Sequence, residues 1–488
     1  MGSVAATPGL NGIRDVDREY DAVVVGAGPN GLVAAATLGA AGRRVLLLEA
    51  ATDVGGGSRS RQLTLPGFVH DVCSAIHPLA IASPAMRSLP LAEHGLEWIH
   101  PDAPLAHPLD DGRTALLERD VGATASGLGR DGRAYRRLLE PFVDSGEHLI
   151  DALMSPLDVP PRHPFLLARY GAVGVRSATS VGRRFETDEA AALFSGLAGH
   201  AMLSLQAPIT AGFALFLGVL AHSVGWPMAK GGSAAIGNAL AAVVDANGGT
   251  IVCDHPVTSL RDLPPARATL LDLTPRQVLA LDDGRLPARY RRTLRRFRYG
   301  PGVFKVDWAL DGPTPWTNPE VARAATVHVG GTAAEVAAAE LEVQRGHHPE
   351  RPFTLFAQPS LFDPTRAPDG KHTAWAYCHV PSGSTVDMTD AIEAQVERFA
   401  PEFRDRVIGR HTMGPAAMEA HDANYIGGDI NGGVDDLRQF FGRPRYSLHP
   451  WATPTPGLYL CSSSTPPGGG VHGMCGWHAA RLALHRER

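Results

Sequence analysis

Residues 21 to 50 read DAVVVGAGPNGLVAAATLGAAGRRVLLLEA, and this stretch constrains the fold more tightly than any other in the chain. An apolar run, 22–25, leads into Gly26, Gly28 and Gly31. An alanine-rich helical stretch follows, and a second apolar run, 45–48, closes on Glu49. Strand, tight turn, helix and strand ending in an acid is the order of a dinucleotide-binding βαβ unit. Gly26 permits the turn, Gly28 lets backbone approach a pyrophosphate, and Gly31 lets the helix pack closely on the strand. The helix N-terminus then offers unpaired N–H groups to phosphate. Glu49 stands about eighteen residues beyond the last glycine, where a carboxylate accepts hydrogen bonds from an adenosine ribose.

A second glycine cluster, Gly55-Gly56-Gly57-Ser58-Arg59-Ser60, comes soon after Glu49. Flavoproteins carry a paired glycine at this distance from the ribose acid, along the FAD pyrophosphate, whereas a typical NAD-binding domain has no need of one. The expected nucleotide is therefore FAD.

With 488 residues the length suggests about three domains, although flavin-binding folds interleave two. A composition of 44% hydrophobic and 19% charged residues describes a globular chain, and a net charge of -5 gives no sign of a nucleic-acid partner. Cys73, Cys253, Cys378, Cys461 and Cys475 form no C-x-x-C pair, which argues against disulfide exchange and against a metal site. An odd count without framework spacing suits a reducing, cytoplasmic compartment. No basic region followed by an apolar core opens the chain, and Ala6 stands where myristoylation would want Ser or Thr. Residues 1–18 are expected to form a loose tail.

Between Ala190 and Ala229 no Asp, Glu, Lys or Arg occurs, and 209–220 (ITAGFALFLGVL) is apolar almost throughout. That core is shorter than the roughly twenty residues a bilayer span needs. A helix lining an apolar pocket, a helix resting on a membrane and a true span remain open at this point. Beyond it, 234–244 is helical in pattern, 250–253 and 257–260 read as short strands, and ARATLLDLTP reads as a further strand of the nucleotide-binding sheet. Val257 is the candidate for backbone contact with the adenine. GPGVFKVDWALDGP then alternates, with Phe304, Val306 and Trp308 on one face and Val303, Lys305 and Asp307 on the other. HTAWAYCHVP alternates likewise, with Trp375, Tyr377 and His379 together. These strands suit a second, substrate-bearing sheet, and 387–399 has helical periodicity.

The C-terminus reads GLYLCSSSTPPGGGVHGMCGWHAARLALHRER. A strand, 458–461, runs into small polar residues, three glycines and a closing helix. Gly473 and Gly476 let its first turn approach a planar ligand. The dipole at its N-terminus favours negative charge there, as on a reduced flavin.

Taken together, the N-terminal motif, GGGSRS, PGFVHDVCSAIHPLA, NYIGGDINGG and LYLCSSSTPPGGGVHGMCG resemble the phytoene-desaturase-like FAD-dependent oxidoreductases, from about Asp21 to the end. The resemblance implies an α/β fold with a glutathione-reductase-type FAD domain assembled from 19–105, 225–290 and 415–488. An α+β substrate domain from 106–224 and 291–414 is interleaved with it. It marks Gly26, Gly28, Gly31, Glu49, Gly56, Gly57 and Arg59 as FAD contacts, with Ser463, Gly470, Val471 and Met474 at the far end. Many such relatives carry Arg where this chain has Gly57, and place Gly nearer Ser462. The label "pyridine nucleotide-disulfide oxidoreductase", attached to parts of the group, fits poorly without a redox cysteine pair. Characterised members oxidise or desaturate long apolar molecules, and some associate with membranes.

The expected function is hydride acceptance by FAD from an apolar small molecule, with oxygen, a quinone or a protein as final acceptor. The alternatives are an amine or alcohol oxidase releasing hydrogen peroxide, and a flavin-carrying binding protein without turnover. A base is useful when a C–C bond is desaturated. Lys305 is the first candidate for a polar group near the flavin, since GPGVFKVDWAL resembles the segment of flavin amine oxidases that carries a lysine; an ion pair with Asp307 or a surface position is the alternative. His77 and Tyr425 follow, in motifs that approach the ring, and His472 and His478 flank the closing helix.

Overall fold

The computed structural model describes residues 19–156 and 161–487, so the expectation of a loose tail over 1–18 lies outside the described residues. The first strand, Ala22–Val25, is buried on both faces and lies at the centre of a five-stranded parallel sheet. Its neighbours are Val45–Leu48 and Ala268–Leu271, with Thr250–Val252 and Leu458–Leu460 at the edges. Continuous apolar runs fit such a position, because parallel strands are covered from both sides. Ala22, Val24, Val45 and Leu47 face one core, shared with the helices Pro29–Ala40, Ala234–Ala246 and Met474–Arg486. Val23, Val25, Leu46 and Leu48 face the other, shared with Val278, Leu281, Tyr290 and Leu294.

The chain leaves this sheet twice to build another. Seven strands lie in the order Val407–Met413, Gly302–Leu310, His372–Val380, Thr354–Ala357, Ala324–Val329, Ala103–Pro108, Thr114–Leu117. All pairings are antiparallel except that of Ala324–Val329 with Ala103–Pro108. The strand Ala103–Pro108 crosses the boundary expected at 105 and belongs wholly to this second sheet. The alternation read from the sequence holds: Phe304, Val306 and Trp308 pack beneath the helix Thr389–Phe399. Lys305 is opposite Tyr377 and Asp307 opposite Trp375, so these four share the other face.

One expected strand is not formed. Past Val252 the chain turns at Asp254, whose φ is 54°, and its amides are spent on the 49–51 segment: Asp254 N donates to Ala51 O at 2.7 Å and His255 N to Glu49 O at 2.8 Å. Residues 257–259 therefore pair with no strand, and Ser259 caps a short turn, Leu260–Asp262. The apolar segment forms the helix Thr210–Ser223. Its Gly212, Phe213, Phe216 and Leu217 line a cavity. No helix among the described residues is long and apolar enough to cross a membrane.

The helices Pro29–Ala40 and Met474–Arg486 meet in the first core. A Cβ on Gly476 would overlap the carbonyl oxygen of Asn30, so only glycine lets the closing helix rest on the backbone of the first. Gly31 serves in the same way, since a Cβ there would overlap Gly26 O. Gly476→Ala is expected to lower stability by about 1–3 kcal/mol, the usual cost of overpacking. Gly171→Ala, in a helix where a Cβ meets nothing within 4 Å, should instead raise it by about 0.4–1 kcal/mol. Chemical denaturation of the two variants checks this.

Candidate dinucleotide and substrate site

A single cavity of about 1250 Å³ runs from the glycine-rich turn to the helices 164–174 and 210–223. At one end Gly26, Gly28, Glu49, Gly56, Gly57, Arg59 and Val257 line it. Glu49, 8% exposed, is fixed by the backbone: Oε2 accepts from Ala27 N at 2.7 Å and Oε1 from Ala51 N at 2.9 Å. Arg59 adds Nη2 to Oε1 at 3.2 Å and also donates to Asp53 O at 2.8 Å. Oε2, which takes a single protein donor, still has acceptor capacity for a hydroxyl. Ser463, Gly470 and Val471 line the same cavity from the C-terminal side.

These groups fit FAD. Backbone without side chains lines the turn, and an anchored carboxylate stands beside Val257. Asn30 Oδ1 and His255 Nδ1 are among the buried polar atoms of lining residues that have no protein partner. Glycine at 57 also has a local reason: a Cβ there would overlap the Tyr425 hydroxyl.

Two expected contacts stand behind the wall. Gly31 N donates to Asp272 Oδ2 at 2.9 Å, and Gly31 does not line the cavity. Met474 is buried away from it, and its N–H, expected to point at the ligand, donates to His472 Nδ1 at 3.0 Å. His472 Nε2 lies 3.1 Å from Gly468 O, so the ring donates there and caps the closing helix as a neutral imidazole. Burial pushes its pKa down to about 4. His478 likewise donates Nε2–H to Met154 O at 2.8 Å.

His77 and Tyr425 line the cavity; Lys305 does not. Ser233 Oγ donates to Ser74 O at 2.5 Å, so His77 Nε2, 2.8 Å from Ser233 Oγ, must be the donor to it. Burial lowers the His77 pKa to about 4, which leaves the ring neutral. Burial raises the Tyr425 hydroxyl well above its ordinary value, and the Cys73 thiol beside it to about 11. Both are therefore protonated. Lys305 forms a fully buried ion pair with Asp307, and its Nζ sits 5.1 Å from the centroid of Trp375, whose ring lines the cavity. Burial alone would raise Asp307, but Lys305, the His411 hydrogen bond and His70 together hold the carboxyl below its usual value. Burial lowers the His70 pKa to about 4, and its Nε2 is 2.8 Å from Thr64 Oγ1.

The far arm of the cavity was not foreseen in detail. It is lined by 152–156, by residues of the helices Pro164–Gly174 and Thr210–Ser223, and by Phe440, Phe441 and Leu448. Among its described lining residues none is Asp, Glu, Lys or Arg. Phe440, Phe441 and Leu448 are 37%, 52% and 76% exposed, so the arm opens through an apolar rim. Trp375, Tyr377 and His200 line the cavity between the two ends. Asp272, which ends the apolar run 268–271 much as Glu49 ends 45–48, was also missed; that parallel was the available signal.

Comparison with known proteins agrees with this geometry. Residues 24–89 match the model of the NAD(P)-binding Rossmann-like domain. The chain is 27% identical, over 96% of its own length and 93% of the relative's, to the rat "Pyridine nucleotide-disulfide oxidoreductase domain-containing protein 2". Among solved structures it is similar to an oxidoreductase from Methanosarcina mazei, with TM-score 0.64 and 18% identity, covering 95% of this chain and 99% of that one. It is also similar to putrescine oxidase, with TM-score 0.61 and 18% identity, covering 96% and 99%. The chain thus has the mixed α/β fold of FAD-dependent oxidoreductases, with a dinucleotide-binding Rossmann domain at its N-terminal end. Its five cysteines are all free in this structure.

Lys305→Met would leave Asp307 buried without its cation, and the expected cost is about 3–5 kcal/mol. Adding Asp307→Asn should recover most of it. Denaturation midpoints of the single and double variants test whether the pair is structural.

Proposed function

We propose that this chain binds FAD and oxidises or desaturates an apolar small molecule, in the manner of the phytoene-desaturase-like enzymes. The observation that supports this best is the continuity of one cavity from the glycine-rich turn and Glu49 to an uncharged arm open at an apolar rim. When bound, FAD supplies the hydride acceptor. The chain's own part is to orient the substrate and exclude water. The uncharged arm supplies an apolar channel for a hydrocarbon. Trp375 and Tyr377 give a flat aromatic wall, their rings stacked at 5.7 Å with planes 12° apart. His77 and Tyr425 keep the adjoining wall neutral and hydrogen-bonded, with Tyr425 the candidate for handling a proton.

An amine substrate finds less here. The stacked rings leave no gap for an ammonium group, and the cation nearest to Trp375 is Lys305 itself. The exposed rim formed by Phe440, Phe441 and Leu448 suits access by a substrate held in lipid, through peripheral contact of this mouth with a membrane.

The test is anaerobic mixing of flavin-loaded protein with carotenoid, fatty and amine compounds while the flavin absorbance is followed. Bleaching by an apolar compound, supplied in detergent or in phospholipid vesicles, is the expected result. Bleaching by amines alone would favour the oxidase alternative. A flavin that stays oxidised throughout would favour a binding protein.

A further inference from the structure

Asp272 stands where a carboxylate is electrostatically least welcome. It lines the cavity at the end of the central strand's neighbour, and its Oδ2 takes the Gly31 amide at 2.9 Å. The same oxygen is 2.8 Å from the place a Cβ would occupy on Gly28, so the carboxyl lies against the backbone that a pyrophosphate approaches. No cation pairs with it among the described residues. From the 420–425 loop it faces Asp422, and from the end of the second strand Glu49. The strand 458–460 and the closing helix present only the thiols of Cys461 and Cys475, both raised by burial. Arg59 is the one Lys or Arg among the described lining residues, and it is engaged by Glu49 and Asp53. Arg443, farther along, is paired with Asp435.

Resting on the FAD reading above, we infer that Asp272 is a cofactor-binding residue that holds its proton when the dinucleotide is in place, so that FAD capture is coupled to proton uptake. Two phosphates beside an ionised carboxyl would add repulsion in a site whose described lining residues include no free cation. As a neutral acid the same group becomes a hydrogen-bond donor at the turn. Burial first, then Asp422 and Glu49, already raise the Asp272 pKa to about 8, against the lowering effect of the Gly31 amide. Bound phosphate raises it further. The sign follows: the complex binds the proton more tightly than the free protein does. Affinity is therefore full below about pH 8 and falls as pH rises, by up to about tenfold per unit.

The experiment measures FAD dissociation from the flavin-loaded protein by flavin fluorescence across this range. It adds calorimetric FAD binding to stripped protein at about pH 8.5, in buffers of different ionisation enthalpy. The wild type should take up most of one proton and lose affinity above about pH 8. Asp272→Asn, isosteric and never charged, should bind FAD without uptake and with a flat pH profile. Asp422→Asn should retain both effects. Wild-type affinity that does not vary with pH, or uptake that survives Asp272→Asn, would overturn the inference while leaving FAD binding intact. Protein that holds no FAD at any pH would overturn both.

Discussion

The backbone of the closing helix rests directly on the backbone of the first at Gly476 and Asn30, and the site depends on that approach. Gly469 and Gly470 on one side and Gly26 and Gly28 on the other line one cavity. Without that contact Ser463, Gly470 and Val471 would not share a cavity with Glu49 and Gly28. A dinucleotide with an adenosine at one end and a ring at the other needs both walls. The parallel sheet supplies the rigid support, because its strands are apolar on both faces and buried beneath helices.

Around that frame, charge is distributed unevenly. The charged residues among the described lining are Glu49, Arg59, Asp272, Asp422 and Asp435, the last paired with Arg443, whereas none of the residues named on the far arm is charged. The histidines and tyrosine near the junction are neutral, since burial lowers His77 and His472 and raises Tyr425. Such a division suits a polar cofactor joined to an apolar substrate. Lys305 belongs to neither end, because Asp307 occupies its ammonium group.

Local pattern made much of this legible. The turn, its flanking strands and the closing helix are contiguous in sequence, and periodicity separated the two faces of Gly302–Leu310 and His372–Val380 correctly. What could not be read was set by partners distant in the chain. The amides of 254–255 bond to 49–51 and so remove a strand expected over 257–260. Met474 spends its N–H on His472, and Gly31 spends its own on Asp272, some 241 residues away. The lysine of the alternating strand lay on the expected face, but the choice between a flavin-facing role and an ion pair rested on Asp307, two residues on. Spacing alone does not decide that.

The central claim is that one FAD lies between the two ends of the polypeptide. Its most direct test is the ratio of flavin to protein absorbance in the purified chain after incubation with FAD and gel filtration. About one FAD per chain is the predicted result, falling sharply in Glu49→Ala. Colourless protein that takes up no added FAD would contradict the account.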